Sequence, residues 1–200
     1  MSAESSPAEH APEKARLRRE MIARRRALST AAREAANEAL CTHVSNLMMS
    51  IGARRAAAYV PLATEPGGDA LVPVLASCLE QLYLPISEPE GQLSWAEFRG
   101  FEHTRTGPYS IPEPTGPRHP SSVLSELDVM IVPALAATPQ GCRLGKGGGY
   151  YDRALASRAA LRPLAAVLLF DDNLLPQLPT EDHDAPVDII ITPSAIRSVE

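Results

Sequence analysis

The chain has 200 residues, a formal net charge of −5 and a hydrophobic fraction of 44%, which is typical of a globular protein of one ordinary domain. The longest nearly uninterrupted apolar run, residues 129–137, is far too short to span a bilayer and contains Pro133, so the sequence predicts no membrane segment. The acidic balance disfavours a general nucleic-acid binder, and three widely spaced cysteines favour reduced thiols in a cytoplasmic protein.

Residues 1–12 are predicted to be a disordered tail. Acidic and proline residues stand here where a signal peptide has a basic start and an apolar stretch. A single domain is expected over residues 13–200. Its first element is a helix over residues 13–28, because Leu17, Met21 and Leu28 fall on one apolar stripe.

Predicted strands and helices alternate over the rest of the chain. This order predicts an α/β fold, a three-layer sandwich with a mostly parallel central sheet and helices on both faces. Ser29 is the predicted N-cap of a second helix, whose core face carries Leu40, Val44, Leu47 and Ile51. Further helices are expected at residues 70–79 and 150–158, and strands at residues 56–61, 81–86, 92–98, 129–133, 164–170 and 188–192. Residues 99–122 predict a long loop with at most a short strand.

The segment from Gly141 to Arg153, GCRLGKGGGYYDR, links a predicted strand to a predicted helix. It therefore belongs to the carboxyl edge of the sheet, where open α/β folds bind ligands. Glycine occupies four of the positions 145–149, which lets backbone N–H groups approach an anion, with Lys146 and Arg143 as added charge. The spacing fits neither a P-loop nor a dinucleotide fingerprint. A bare glycine run also suits a flexible loop or a tight turn, and the embedded charges favour the anion site.

Acidic residues in two places predict a magnesium site. Asp152 directly follows the glycines, where its carboxylate can hold Mg²⁺ against phosphates or stabilise the first turn of a helix. Asp184 is the candidate second ligand, with Asp188 as the alternative. His183 is expected to hydrogen-bond locally, since no second histidine or cysteine stands at ligand spacing. Cys142 is a candidate nucleophile without an identifiable base partner.

Lysine is rare in this chain, with Lys14 and Lys146 among nineteen Lys and Arg residues. The two lysines suggest positions that need a compact ammonium group instead of a planar guanidinium, as close packing around a phosphate does. Lys14 and Arg18 are one helical turn apart and share an edge of the first helix. Most of the other basic residues of that helix are expected on a solvated face.

The segment RLGKGGGYYDR, residues 143–153, resembles the signature of the 5-formyltetrahydrofolate cyclo-ligase family, also called 5,10-methenyltetrahydrofolate synthetase. Further segments resemble that family in the same order: KARLR at 14–18, YVPLATE at 59–65, YSIPEP at 109–114 and LPTEDHDAPVD at 178–188. The resemblance implies the family's three-layer α/β fold. It also implies ATP- and Mg²⁺-dependent closure of 5-formyltetrahydrofolate to 5,10-methenyltetrahydrofolate, through phosphorylation of the formyl oxygen and release of ADP and phosphate.

The resemblance also implies the roles of individual residues. Catalysis would rest on Lys146, Arg143 and Asp152. ATP would be bound by Lys14, Arg18, Arg143, Leu144, Gly145, Lys146, Gly147, Gly148, Gly149, Tyr150 and Tyr151. The folate substrate, with or without further glutamates, would be bound by Arg18, Leu62, Glu65, Tyr109, Lys146, Gly147, Gly148, Gly149 and Tyr150. Mg²⁺ would be held by Asp152 and Asp184, and a monomer is expected.

Two alternatives stay open at this point. A sugar-phosphate isomerase or a CoA-transferase-like enzyme of a related fold would bind phosphate esters without releasing ADP. A nucleotide-sensing or RNA-contacting module would use the basic helix and bind polynucleotides in a salt-sensitive manner, which the acidic balance disfavours.

Overall fold

Seven strands form one central sheet in the computed structural model, which describes residues 7–156, 158, 162–181 and 184–199. In these residues the α-helices are α1 (Pro7–Ala27), α2 (Thr30–Ser50), α3 (Leu71–Cys78) and α4 (Tyr150–Ala156). The strands are β1 (Arg55–Ala57), β2 (Gln81–Ser87), β3 (Leu93–Glu97), β4 (Thr104–Thr106), β5 (Pro112–Pro114), β6 (Val129–Val132), β7 (Ala136–Ala137), β8 (Arg143–Leu144), β9 (Leu164–Leu168), β10 (Ile189–Ile191) and β11 (Ile196–Ser198). None of the helices in these ranges has the length and apolarity needed to cross a bilayer.

The strand order of the central sheet is β11-β10-β9-β6-β1-β2-β3. The inner strands β10, β9, β6, β1 and β2 pair in parallel, whereas the edge strands β11 and β3 run antiparallel to their neighbours. Strand β6 lies in the middle and is apolar and buried along its whole length, as a strand covered on both faces must be. The predicted α/β fold with a mostly parallel sheet is confirmed.

Helices cover both faces of this sheet. Val129 and Ile131 of β6 pack in the core that contains the apolar residues of α2 and α3, while Met130 and Val132 pack in the core that contains Leu155 of α4. This alternation follows from the two-residue period of a strand, which sends successive side chains to opposite faces. The predicted three layers are therefore present.

Helix α1 packs its apolar stripe on a small hairpin formed by β7 and β8. Met21 is fully buried there against Leu135 and Leu144. The helix begins at Pro7, so residues 7–12, which the sequence assigned to a tail, are helical, and residues 1–6 lie outside the described range. Because an isolated helix start has weak sequence signals, the boundary was the least determined part of this prediction.

Helix α2 begins and ends close to its predicted limits. Ser29 is its N-cap, as predicted, and its Oγ accepts a hydrogen bond from the Ala32 N–H at 3.2 Å. Ile51 was assigned to the core face but is 40% exposed, because it lies beyond the last helical turn as the C-cap. Leu40, Val44 and Leu47 are buried as expected, so only the end of the stripe was wrong.

The largest differences from the predicted elements lie in the loops. Residues 99–122 contain the hairpin β4–β5, where at most one short strand was expected. The prolines Pro112 and Pro114 hid it, because proline in a segment argues against a strand. The predicted strand over residues 56–61 pairs only as far as Ala57. Beyond Ala57 the chain leaves the ladder and lines a cavity at the carboxyl edge of the sheet.

Candidate functional site

Two cavities of similar size meet at the glycine segment between β8 and α4. The first, here called the aromatic cavity, has a volume of about 510 Å³, and the second, the charged cavity, about 530 Å³. Gly145, Gly147, Gly148 and Gly149 line both of them, as do Arg143 and Asp152. The glycine segment is thus a wall shared by the two cavities.

The predicted site residues divide between these cavities. The aromatic cavity is lined by Leu62, Glu65, Tyr109, Lys146, Tyr150 and Tyr151 in addition to the shared residues. The charged cavity is lined by Lys14, Arg18, Leu144 and Asp184 in addition to the shared residues. Cys142 and Asp188 are not among the lining residues of either. The fold therefore brings together residues from both ends of the chain that the sequence singled out separately.

The backbone of the glycine segment has a shape that favours glycine. Gly147 and Gly149 have φ of +96° and +68°, in the left-handed region that L side chains rarely adopt. Arg18 holds the segment from the side of α1: its Nε donates to the Gly145 carbonyl oxygen at 3.0 Å. A Cβ on Gly147 would lie 3.3 Å from the Arg18 guanidinium carbon. Arg153 contacts the segment as well, and its guanidinium donates to the Gly148 carbonyl oxygen at 2.6 Å, so two arginines fix the position of this backbone.

Arg143 is the charged group that reaches both cavities from within the protein. Its side chain is 2% exposed and donates a hydrogen bond to the Asp152 carboxylate. Within the described residues its buried Nε has no hydrogen-bond partner. A buried donor without a partner is costly, and a ligand anion would satisfy it. Arg143 is therefore suited to bind an anion at the boundary of the two cavities.

Lys146 and Glu65 form an ion pair across the aromatic cavity. The Lys146 Nζ lies 2.7 Å from the Glu65 Oε1, and the lysine side chain is 51% exposed whereas the glutamate side chain is 9% exposed. The other carboxylate oxygen of Glu65 accepts the Leu62 N–H at 2.9 Å. The Leu62 N–H thus holds a buried carboxylate in one orientation, with a half-exposed ammonium group facing it.

The charged cavity has a second ionic cluster, in which one lysine binds two carboxylates. The Lys14 Nζ lies 2.7 Å from both the Glu181 Oε2 and the Asp184 Oδ2. Burial lowers the pKa of Lys14, but the hydrogen bonds to Asp184 and Glu181 outweigh burial and raise it above the ordinary value. Asp182 and His183 lie outside the described residues.

The carboxylates of the charged cavity are of the type that can hold Mg²⁺ together with phosphate, although in this structure Asp152 pairs with Arg143 and Asp184 with Lys14. In the described part of the chain no three histidine, cysteine or acidic side chains come together as a metal-binding group. Mg²⁺ in nucleotide sites needs only one or two carboxylates, since phosphates and water complete its coordination. Asp152 and Asp184 line this one cavity. Asp188 instead accepts hydrogen bonds from Arg158 and the Ala165 N–H.

Tyrosines form the apolar walls of the aromatic cavity. Burial raises the pKa of Tyr59 and of Tyr151, so both phenols stay protonated. The Tyr59 hydroxyl donates to the Pro66 carbonyl oxygen at 2.6 Å, and the Tyr151 ring packs edge-on against Trp95. Rigid aromatic faces next to a buried carboxylate such as Glu65 suit a flat heterocycle with a hydrogen-bonding edge.

Sequence reasoning missed two buried charged residues at this site. Arg25 of α1, 3% exposed, donates to the carbonyl oxygens of Ala134 and Leu135 behind the aromatic cavity. Glu113, 2% exposed, lines the same cavity. Arg25 stands in a run of arginines, which concealed it, whereas the segment YSIPEP could have pointed to Glu113 as an acid among apolar residues.

Known proteins resemble this chain over nearly its whole length. The 5-formyltetrahydrofolate cyclo-ligase family matches residues 10–193. A 5-formyltetrahydrofolate cyclo-ligase from Mycolicibacterium smegmatis is 36% identical over 185 residues, which cover 90% of this chain and 93% of that protein. The protein of the same name from Escherichia coli K12 is 28% identical over 175 residues, with 86% and 96% covered. The NMR structure of Aquifex aeolicus 5,10-methenyltetrahydrofolate synthetase has a TM-score of 0.79 at 26% identity and covers 93% of this chain and 92% of that one.

Proposed function

This chain belongs to the 5-formyltetrahydrofolate cyclo-ligase family, and we propose that its two adjoining cavities divide the reaction of that family between them. It is a ligase that closes 5-formyltetrahydrofolate to 5,10-methenyltetrahydrofolate. The aromatic cavity takes the folate, and the charged cavity takes ATP with Mg²⁺. The observation that supports this proposal is that the glycine segment lines both cavities, so two ligands bound in them would lie on either side of one backbone segment.

Glu65 and the tyrosines orient the folate. The Glu65 carboxylate, held by the Leu62 N–H, accepts hydrogen bonds from the amino-pyrimidine edge of the pterin. Tyr59 and Tyr151 line the cavity as neutral rings, which provide apolar surface for the pterin faces. Fixing the ring at both its edge and its faces brings the formyl group to the glycine segment, where the reaction takes place.

The chemistry needs a better leaving group than a formamide oxygen. When bound, ATP supplies the γ-phosphoryl group, which joins the formyl oxygen as ADP leaves. The neighbouring amine of the folate then attacks the formyl carbon, the carbon–oxygen bond to phosphate breaks, and the amine loses its proton as the ring closes. Such a transfer depends on positioning and charge stabilisation more than on a protein nucleophile.

Basic residues of this chain supply that charge stabilisation. Arg143 lines both cavities, so its guanidinium binds the phosphoryl oxygens during their transfer from one side to the other. Lys146 lies on the same wall, and its half-exposed ammonium group can turn from Glu65 towards the transferred phosphate. Lys14 and Arg18 bind the rest of the phosphate chain from α1. Asp152 and Asp184 would hold Mg²⁺, which would neutralise phosphate charge.

The direct test is product formation by the purified protein. With 5-formyltetrahydrofolate, ATP and Mg²⁺, we expect the near-ultraviolet absorbance of the methenyl product to rise in step with ADP release. A chelator should stop both signals, and added Mg²⁺ should restore them. Folded protein that binds a phosphate ester without releasing ADP would favour an isomerase or transferase, and nucleotide binding without turnover would favour a sensing module.

Substituting Gly145 by alanine tests the phosphate-binding role of the glycine segment separately from its folding. A Cβ at Gly145 would meet the protein no closer than 3.6 Å, at Arg143, and the residue lies outside the left-handed region. We therefore expect thermal stability close to that of the unmodified protein, with ATP binding weakened by about tenfold, or about 1.4 kcal/mol, because the methyl group meets the ligand. Calorimetric titration with ATP measures this.

The control is alanine at Gly52, which lies in a turn, has open space around it and is not among the residues lining either cavity. That variant carries backbone strain from its φ of +62° and should lose stability without losing ATP affinity. Unchanged ATP affinity in Gly145→Ala would show that the backbone of the glycine segment does not bind the nucleotide.

A further inference from the structure

The hairpin β4–β5 forms a two-stranded sheet separate from the central one and carries Tyr109 at its turn. Tyr109 lines the aromatic cavity although it is 77% exposed. Tyr109 and Ser110 have φ of +58° and +60°, and the Ile111 N–H donates to the Pro108 carbonyl oxygen at 3.2 Å, which makes them the central pair of a tight hairpin turn. Glycine and asparagine are the usual residues here, so neighbouring contacts must hold this turn in place.

Glu113 supplies such contacts at the base of the hairpin. Its Oε1 accepts the Ser87 N–H at 2.8 Å, and Ser87 is the last residue of β2 in the central sheet. Its Oε2 accepts a hydrogen bond at 3.2 Å from Arg105, the residue opposite it on β4. A Cβ at Gly107 would lie 2.4 Å from the carboxyl carbon, so the bare backbone there packs directly on Glu113. One side chain thus joins both hairpin strands to the central sheet.

The burial of this carboxylate makes the connection firm. Glu113 is 2% exposed, and a shielded carboxylate that loses its hydrogen-bond donors is strongly destabilised. If the hairpin moved away from β2, Glu113 would lose the hydrogen bond from the Ser87 N–H while its carboxylate was still shielded from water. Ser87, Glu113 and Tyr109 all line the aromatic cavity, so the contact between Ser87 and Glu113 lies in the same side-chain lining as Tyr109.

We propose that Glu113 is a positioning residue of the cyclo-ligase reaction, which holds the hairpin so that Tyr109 stays against the bound folate. This inference rests on the proposed function of the aromatic cavity. Glu113 acts through Tyr109 and leaves the formyl group and the phosphates to the residues of the glycine segment. Its loss should therefore weaken folate binding and spare the chemical step.

Glu113→Gln is the test variant, because it removes the negative charge that strengthens the hydrogen bond from the Ser87 N–H and that forms the ion pair with Arg105. We expect the KM for 5-formyltetrahydrofolate to rise about five- to tenfold, while kcat and the KM for ATP stay within about twofold. Hydrogen exchange of residues 104–114 in the ligand-free protein should become faster. Glu97→Gln is the matched control: Glu97 is an acid of β3 paired with Arg99 at 3.1 Å, it is not among the residues lining the aromatic cavity, and its change should leave all four quantities as they were.

A double variant separates positioning from direct contact. If Glu113 acts through Tyr109, then Glu113→Gln adds nothing to the KM of Tyr109→Ala, since the group being positioned is already gone. Multiplied effects would overturn the proposal in favour of direct contact with the substrate. Unchanged hydrogen exchange in Glu113→Gln, or a lower Tm with an unchanged KM, would overturn it as well.

Two further outcomes need their own tests: a Glu113→Gln variant that folds poorly, and an unmodified protein that forms no product. Should Glu113→Gln fold poorly, Arg105→Gln removes only the half-exposed cation and must raise the folate KM in the same direction, and an unchanged KM would contradict the proposal. Absence of product from the unmodified protein would count against the proposed function alone. The exchange rate of the hairpin needs no substrate, so it would still decide whether Glu113 anchors the turn.

Discussion

Replacing Lys146 by alanine should lower kcat by about a hundred- to a thousandfold, the usual effect of removing one donor aimed at developing charge. The protein stays folded but loses about 1–3 kcal/mol of stability, because the nearly buried Glu65 carboxylate loses its charged partner and keeps the hydrogen bond from the Leu62 N–H. Formation of the methenyl product under saturating ATP and folate measures kcat, and thermal unfolding measures stability. The KM for ATP changes less, because Lys14, Arg18 and Arg143 still bind the phosphates.

Lys146→Arg shows whether charge alone is enough at this position. The chain has only two lysines among its nineteen Lys and Arg residues, so an ammonium group here is a departure from its general use of arginine. We expect arginine to restore only a small part of the lost rate, since a planar guanidinium cannot fill the place of a compact ammonium group. Arg54→Ala, which removes an exposed cation paired with Glu80 at 2.6 Å, is the control for loss of surface charge. Near-normal turnover in Lys146→Ala would exclude Lys146 from the chemical step.

Asp152→Asn is expected to lower kcat by about a thousandfold. The Mg²⁺ concentration that gives half of the maximal rate should rise. Asparagine keeps the shape of aspartate but removes the negative charge that partners the nearly buried Arg143 and that would hold Mg²⁺. The free energy of unfolding should fall by about 1–3 kcal/mol, because Arg143 loses a charge-assisted hydrogen bond. Turnover at increasing Mg²⁺ and denaturant unfolding test the two effects separately.

A second acid outside the site provides the comparison. Asp172 is exposed after β9, and Asp172→Asn should change neither turnover nor Mg²⁺ dependence. Full activity of Asp152→Asn at ordinary Mg²⁺ would contradict the assignment of Asp152 to the metal. If Asp152→Asn lost stability but kept its rate, the role of the carboxylate would be limited to its ion pair with Arg143.

Sequence patterns were sufficient for the core and for the glycine segment. Val129–Val132 is apolar at every position, which predicts a central strand covered on both faces, and the structure has it there. The glycines around Lys146 stood out because so many bare positions rarely occur together without a backbone requirement. Both predictions depend only on residues close together in the chain.

Long-range pairings were beyond this kind of reasoning. Lys14 binds Glu181 and Asp184, which are 167 and 170 residues away in the sequence. The order of residues along the chain does not show that these three side chains lie together in the fold. Glu113 was missed for a similar reason: its partner Ser87 lies 26 residues away, across a proline-rich segment whose hairpin has no alternating pattern. Most of the side chains that line the two cavities could be singled out from the sequence, but only the fold shows which of them face each other.

The shared wall also bears on how the two substrates influence each other. A ligand that fixes the glycine segment from one cavity removes conformational freedom that a second ligand would otherwise have to remove from the other. Under the proposed assignment of the two cavities, binding of nucleotide and of folate should therefore be cooperative, and thermodynamic linkage requires each to tighten the other by the same factor. Such coupling would favour the complex in which both reactants are present.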